Sequence, residues 1–184
     1  NKKPYELNGI QTDKMIHLVR KNSGPTDLVL TPPFYAVRAD RRIWQDYSEL
    51  FIWIFKYRHD RQNNDPHGEG WRKILAMAQA LRERRIAFVA LEMDQTGVAP
   101  EVMLALRETY IPLGGPWLPG PDRYLFFTRN TRLGLFVPAP RQDAPEASRM
   151  RARAWDGFLL ELQRTYGEGF ASKFGEWYAK MPKE

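Results

Sequence analysis

The chain contains no cysteine among its 184 residues. Disulfide bonds, thiolate nucleophiles and cysteine-ligated zinc or iron–sulfur centres are therefore excluded. Long apolar runs are also missing, because no stretch approaches the ~18 residues that a membrane-spanning helix needs. Complete catalytic signatures are missing as well, since the sequence holds neither a phosphate-binding loop nor a Gly-x-Ser-x-Gly elbow. These absences favour a binding function over catalysis, and we expect no cofactor.

The composition is that of one soluble domain with a basic surface. Hydrophobic residues make up 43% of the chain and aromatic residues 13%, which is enough for a substantial core. The formal net charge of +6 suits nucleic acid, anionic lipid or an acidic protein partner. The basic residues are scattered rather than gathered into one long run, which lowers the expectation of nucleic-acid binding.

Most of the predicted elements follow from hydrophobic periodicity. The apolar run at 50–57 predicts a buried strand, and a polar loop follows it at 58–69. A helix at 70–84 and a second apolar strand at 86–91 complete the pattern. Strand, helix and strand in this order predict a βαβ crossover with parallel strands, whose carboxyl ends share one edge of the sheet.

Helices, strands and breaks are also predicted on either side of this unit. An irregular arm at 1–11 leads into a helix near residues 12–21. The later elements are a short strand at 28–30, an edge strand or extended arm at 34–38, a helix at 99–110, a proline-rich loop at 112–121, a hairpin of strands at 123–128 and 133–137, and a helix at 145–166. A terminal amphipathic helix carries Phe170, Phe174, Trp177 and Tyr178 on one face. The predicted domain boundaries are 1–49 for a helical or extended arm, 50–166 for the central domain and 167–184 for the terminal helix.

The element order from residue 50 resembles that of the thioredoxin fold. Pro121 falls where that family places a cis-proline before its third strand. The segment corresponding to the family's Cys-x-x-Cys is the loop that contains His59 and His67, and it has no cysteine. The resemblance therefore implies an α/β, thioredoxin-like three-layer sandwich with a mixed four-to-five-stranded sheet, extended by an N-terminal segment and a C-terminal helix.

Among thioredoxin-like proteins, the chain is most similar to the cysteine-less members that help to assemble bacterial conjugative pili. The matching residues are the Phe-Lys-Tyr-Arg of 55–58 and the Leu-Glu-Met-Asp of 91–94. This resemblance implies a redox-inactive protein-binding or assembly factor in conjugation or secretion. It also implies a periplasmic location, with a cytoplasmic one as the alternative.

The resemblance also indicates where a protein partner would bind. Redox-active relatives hold client chains at the edge that corresponds to loop 59–70 and Pro121, and an extended client could pair there by β-augmentation. The predicted binding residues are His59, Asp60, His67, Trp71, Trp117, Pro121 and Asp122. The terminal helix, if it does not pack on its own domain, would be a second partner site.

A metal-dependent hydrolase is an alternative interpretation of the same edge. Nitrogen and oxygen ligands suit a divalent metal, and nucleases and phosphatases need such clusters. The candidate residues are His59, Asp60, Asp65, His67, Glu92 and Asp94. Their spacing matches no established ligand signature.

A nucleic-acid-binding accessory protein is the other alternative. The basic residues that favour it fall into three groups, which are Arg82, Arg84 and Arg85; Arg129 and Arg132; and Arg141, Arg149, Arg151 and Arg153. Aromatic side chains such as Trp44 and Trp117 could stack on bases. Most aromatic residues, however, lie at core periodicity.

Overall fold

A computed structural model describes residues 4–44, 50–96, 99–114, 125–127, 132–140 and 145–181. The helices are α1 (Pro4–Lys21), α2 (Pro33–Ala39), α3 (Leu50–Gln62), α4 (Glu69–Arg82), α5 (Met93–Thr96), α6 (Pro100–Thr109), α7 (Pro145–Tyr166) and α8 (Gly169–Lys180). The strands are β1 (Leu28–Leu30), β2 (Arg42–Ile43), β3 (Ile86–Glu92), β4 (Tyr110–Pro112), β5 (Leu125–Phe127) and β6 (Arg132–Pro138).

The six strands form one mixed sheet in the order β2-β1-β3-β6-β4, and β5 also pairs with β6. Strands β2, β1 and β3 are parallel, whereas β6 runs antiparallel to β3, β4 and β5. Long helical connections join the parallel strands, as parallel pairing requires. The prediction of a mixed α/β protein is therefore confirmed.

Helices pack on both faces of the sheet. Successive side chains of a strand point to opposite faces, and β3 divides its residues between two buried clusters. Phe88 and Ala90 belong to a cluster with residues of α1 and α2. Val89 and Leu91 belong to a larger cluster with residues of α3, α4, α6, α7 and α8. The larger cluster therefore lies on the face where five helices meet the sheet.

The predicted strand at 50–57 is wrong, because these residues form the first half of α3. Their burial has helical spacing: Trp53, Ile54 and Tyr57 are buried, whereas Phe55 is 67% exposed. The run conceals this spacing because its inward and outward residues are both apolar. The segment is thus half of a helical pair, α3–α4, and the predicted βαβ crossover and its parallel strand pair do not form.

Two further local predictions are wrong. The predicted edge strand at 34–38 lies in α2, which begins with Pro33 at its first turn and buries Ala36 and Ala39 three residues apart. The predicted irregular arm at 1–11 is helical from Pro4 onwards. In both segments polar and apolar residues mix closely enough to resemble extended chain.

The predicted loop at 58–69 is also partly wrong, because α3 continues to Gln62, and β2, α5 and β4 were not predicted. Other described elements agree with prediction. Helix α4, strand β3 and helix α6 occupy the predicted positions, and β5 and β6 form the predicted antiparallel hairpin. Helices α7 and α8 follow as expected, and Phe174 and Trp177 of α8 are fully buried in the larger cluster. The apolar face of α8 therefore packs on its own chain. None of the helices that the structure describes has the length and apolar character needed to cross a membrane.

Candidate functional site

The predicted edge residues Asp60 and Trp71 meet where α3 turns into α4. The backbone N–H of Trp71, in the first turn of α4, donates to the Asp60 carboxylate at 3.0 Å. The Asp60 side chain is only 13% exposed. A carboxylate at this position satisfies a helix N-terminal donor and complements the positive end of the helix dipole. The Asp60 carboxylate therefore stabilises the contact between α3 and the amino end of α4.

The histidines of this corner do not form a metal cluster with their neighbours. His59 is 69% exposed and lies 3.8 Å from the Asp60 carboxylate. His67 contributes its backbone N–H to the Asp65 carboxylate at 3.1 Å, a local turn contact. Within the part of the chain that the structure describes, no three His, Asp or Glu side chains come together in a group that could hold a metal ion.

The corner is also closed by close backbone packing. A Cβ atom on Gly70 would lie 2.2 Å from the backbone nitrogen of Tyr57, and one on Gly68 would lie 2.2 Å from the Asp60 carboxyl carbon. Both distances are far below a van der Waals contact. The glycines therefore let the chain at the start of α4 approach α3 more closely than a residue with a Cβ atom would allow.

A polar network joins this corner to α6 and α8. Tyr57 donates to Glu101 at 2.5 Å, and Arg61 makes a bidentate ion pair with Glu176 at 2.7 and 2.8 Å. Burial and the Glu101 hydrogen bond raise the pKa of Tyr57, and the Arg61 hydrogen bonds lower the pKa of Glu176 to about 2. The Lys180 ammonium also contacts Glu176 at 2.8 Å. This network fixes α8 beside α3.

The other predicted acidic residues lie at the carboxyl end of β3. Burial, with the nearby Asp94 carboxylate, raises the pKa of Glu92. Asp94 accepts from Arg132 at 3.3 Å, and the Arg132 guanidinium lies 5.3 Å from the ring centre of Tyr166. Burial and Asp94 raise the pKa of Tyr166. Asp94 is thus paired with a cation and does not join His59 or His67.

Three of the predicted binding residues, Trp117, Pro121 and Asp122, lie outside the described residues. The same holds for Arg129 and Arg141. Trp44, considered for base stacking, is only 7% exposed and belongs to the larger core cluster.

A cavity lies elsewhere, between α6, α7 and α8. Its volume is about 730 Å³. Four cationic side chains line it, namely Arg107, Arg149, Arg151 and Lys180. Glu108 contributes one carboxylate, Ser148 a hydroxyl, and Leu104 and Ala152 an apolar wall. We call this space the basic cavity.

Two of its arginines are held in fixed positions by the core. The Arg107 guanidinium lies 5.5 Å from the ring centre of Trp155, which is fully buried. Arg151 donates to the backbone carbonyl oxygens of Arg107 and Glu108, at the carboxyl end of α6. These two hydrogen bonds orient the Arg151 guanidinium at the carboxyl end of α6. A guanidinium fixed in this way is suited to bidentate recognition of an anion.

Two basic segments that are distant in sequence meet beside this cavity. Arg82, at the end of α4, pairs with Glu108 at 2.8 Å. Arg84 donates to the carbonyl oxygen of Thr109 at 3.5 Å. Residues of the predicted groups at 82–85 and 149–153 therefore meet at the same helix end.

The cavity lies at the opposite end of β3 from the predicted edge. Tyr110 directly follows α6, and its hydroxyl donates to the carbonyl oxygen of Ile86, the first residue of β3. The carboxyl end of α6 is therefore beside the amino end of β3. Of the cavity's basic residues, the sequence indicated Arg149 and Arg151. Arg107 and Lys180 stand singly in amphipathic helices, and no sequence pattern marked them as part of a site.

No protein family, curated protein or solved structure matches the chain.

Proposed function

We propose that this chain is a non-catalytic nucleic-acid-binding protein whose contact surface is centred on the basic cavity. The observation that carries the proposal is the convergence of Arg107, Arg149, Arg151 and Lys180 around one concave space. Nucleic acid presents closely spaced phosphates, which a cluster of fixed guanidinium groups can contact together. The overall charge of +6 supports the same class of partner.

The proposal predicts salt-dependent binding to a generic oligonucleotide. Fluorescence anisotropy of a labelled single-stranded DNA would be measured from ~50 to ~200 mM salt, where each phosphate contact adds about −0.7 to the slope of log K against log salt. The test variant is Arg149→Glu, in the cavity wall. Its matched control is Arg164→Glu, an exposed arginine of the same helix about 22 Å further along α7.

We expect Arg149→Glu to weaken binding about tenfold and to reduce the magnitude of the salt slope by about 0.7, because it removes a phosphate contact and adds a repulsive charge. Arg164→Glu should change affinity much less. Undetectable binding of the wild-type protein at ~50 mM salt would overturn the proposal.

A second candidate function is protein binding, which the resemblance to pilus-assembly proteins implies at loop 59–70 and Pro121; the structure offers α3 as the surface for it. The supporting observation is that Ile52 and Phe55, three residues apart on α3, are 48% and 67% exposed. Residues three apart share a helix face. They lie on the same helix as the predicted binding residue His59. Thioredoxin-like ancestry, conjugation and a periplasmic location belong to this candidate and rest on the resemblance.

The segment that the resemblance matches to the first strand of the thioredoxin fold, residues 50–57, is helical. What supports the resemblance is the later order of β3, α6, the β5–β6 hairpin and α7. A pull-down from the native host with wild type, Phe55→Asp and Leu160→Asp tests this candidate. Leu160 is a matched control because it is also an exposed apolar residue on a helix. A specific partner lost with Phe55→Asp alone would support it, and a partner list unchanged by that variant would contradict it.

A further inference from the structure

We infer that the basic cavity takes a single phosphorylated nucleotide, either free or at the end of a strand. This inference rests on the proposed function for its class of ligand and adds the form in which that ligand enters. Its starting point is shape. The cavity is a recess between three helices, and its volume of about 730 Å³ lies within the range of pockets that enclose small organic ligands.

The lining contains both charged and apolar side chains, and its one carboxylate, Glu108, is paired with Arg82 at 2.8 Å. The cationic groups of Arg107, Arg149 and Arg151 suit a phosphate, and Ser148 supplies a hydroxyl that hydrogen bonds in either direction. Leu104 and Ala152 form an apolar wall beside them. A nucleotide has the same two parts, because its phosphate is anionic and its base has apolar faces.

The charged part is organised before any ligand arrives. Arg107 lies over the Trp155 ring, and Arg151 is bonded to two carbonyl oxygens of α6. Holding these long side chains in place reduces the entropy that a ligand must otherwise overcome. Both guanidinium groups are therefore held in place at the lining of the cavity by contacts with the protein itself.

An intact duplex would use only the rim of this recess. Its phosphates lie on a convex rod and its bases are stacked inside, so the apolar wall would stay without a contact. The terminal nucleotide of a single strand has an accessible base and an accessible phosphate, and both parts can enter a pocket. The recess therefore selects a strand end or a free nucleotide over the middle of a helix.

Two sources of the same phosphate chemistry are separated by the probes. Calorimetry would compare adenosine 5′-monophosphate with adenosine. Anisotropy would compare a labelled ten-residue oligothymidylate carrying a 5′-phosphate with the same strand carrying a 5′-hydroxyl and with a blunt hairpin duplex. We expect either binding of the monophosphate but not of adenosine, or an affinity at least about fivefold higher for the 5′-phosphorylated strand, since one added charge-assisted contact is being measured.

Substitutions in the cavity wall and outside it test whether the ligand binds in the cavity. Arg149→Glu, in the wall, should abolish the preference for the phosphorylated ligand. Arg153→Glu, an exposed arginine one turn further along α7 that does not line the cavity, should retain it. Ala152→Phe fills the recess without changing charge and should also abolish the preference. Thermal unfolding of each variant would verify folding, and the pair at 149 and 153 keeps the test decisive if Ala152→Phe does not fold.

The outcomes separate this inference from the proposed function. Oligonucleotide binding with no effect of the 5′-phosphate and no binding of the monophosphate would overturn the inference and leave the proposed function standing. Equal losses in Arg149→Glu and Arg153→Glu would also overturn it, because they would indicate a general surface field. Binding of the monophosphate with no binding of any oligonucleotide would support the cavity as a nucleotide site and overturn the nucleic-acid function.

Discussion

Two helix ends in this protein each receive a charged side chain from a neighbouring helix, and the two side chains carry opposite charges. The amino end of α4 receives the Asp60 carboxylate from α3, and the carboxyl end of α6 receives the Arg151 guanidinium from α7. Each side chain complements the partial charge of the helix end and satisfies backbone groups that have no partner within the helix. A charged residue at a helix end is therefore explained by structure before it is explained by function.

What differs between the two ends is the space around them. At α4, Gly70 lets the backbones of two helices approach so closely that a Cβ atom there would lie 2.2 Å from the Tyr57 nitrogen. At α6, the helices that supply and receive Arg151 enclose about 730 Å³. In this chain the polar residues that cluster in the sequence at 59–67 lie beside closely packed backbones, whereas the basic cavity is lined by groups from several helices.

The largest effect is expected where the α4 end is most tightly closed. Gly70→Ala places a methyl group 2.2 Å from the Tyr57 backbone nitrogen, and rigid backbone cannot give way as a side chain would. We expect a loss of about 3 kcal/mol in the free energy of unfolding, at the upper end for overpacking. Urea denaturation followed by circular dichroism would measure it.

Gly175→Ala is the matched control for this substitution. Gly175 lies in α8, and a Cβ there would meet no heavy atom within 4 Å outside its own helix backbone. We expect this variant to gain about 0.5–1 kcal/mol, because alanine favours helix over glycine. A Gly70→Ala protein as stable as wild type would show that the α4 end is not closed.

The next effect concerns the cap at the open end. Arg151→Ala removes the donor to the carbonyl oxygens of Arg107 and Glu108, and we expect a loss of about 2 kcal/mol, within the range for hydrogen bonds to charged groups. Arg153→Ala, on an exposed position of the same helix, should lie within about 0.5 kcal/mol of wild type. Equal unfolding free energies for the two variants would show that Arg151 does not stabilise the carboxyl end of α6.

Asp60→Ala should have a smaller effect on stability and none on binding. Loss of a helix N-terminal acceptor typically costs about 1 kcal/mol. His59→Ala is its control, since the His59 side chain is 69% exposed and should change stability by less than about 0.5 kcal/mol. Oligonucleotide binding should be unchanged in both. Strong loss of binding with unchanged stability in Asp60→Ala would move the functional site to the α3–α4 corner.

The smallest effect is a pH dependence at Glu176, which links the two regions through Arg61 of the corner and Lys180 of the basic cavity. The pKa of Glu176 is lowered to about 2 in the folded protein. Its contribution is therefore fully present above the ordinary pKa near 4.5 and is lost as the pH falls from there towards 2.

The Glu176 carboxylate is 44% exposed, so solvent screening limits the expected contribution to less than about 1 kcal/mol. Acid titration of stability for wild type and Glu176→Gln would measure it, and the variant should show a shallower loss between pH 4.5 and 2. Parallel acid profiles for the two proteins would show that this ion pair adds nothing to stability.

Helices were predicted correctly where their inward residues are apolar and their outward residues are polar. The periodicity of α4, α6, α7 and α8 is clear because their inward residues are apolar and their outward residues are polar. In α3, Phe55 and Ile52 are exposed yet apolar, so the helical period was hidden and a strand was predicted. The histidines at 59 and 67 and the carboxylates at 92 and 94 were predicted as candidates, but the sequence could not show that they would not gather in one group.

The sequence by itself determined the exclusion of thiol chemistry, the basic net charge and the α/β class, because these depend on composition and local periodicity. Only the tertiary structure decided that α3 is a helix packed on α4 and that the basic segments at 82–85 and 149–153 meet at the end of α6. It also decided that Arg107 and Lys180 join them. Such meetings depend on how helices pack over the sheet, and no local pattern encodes the distance between residues that lie about 70 positions apart.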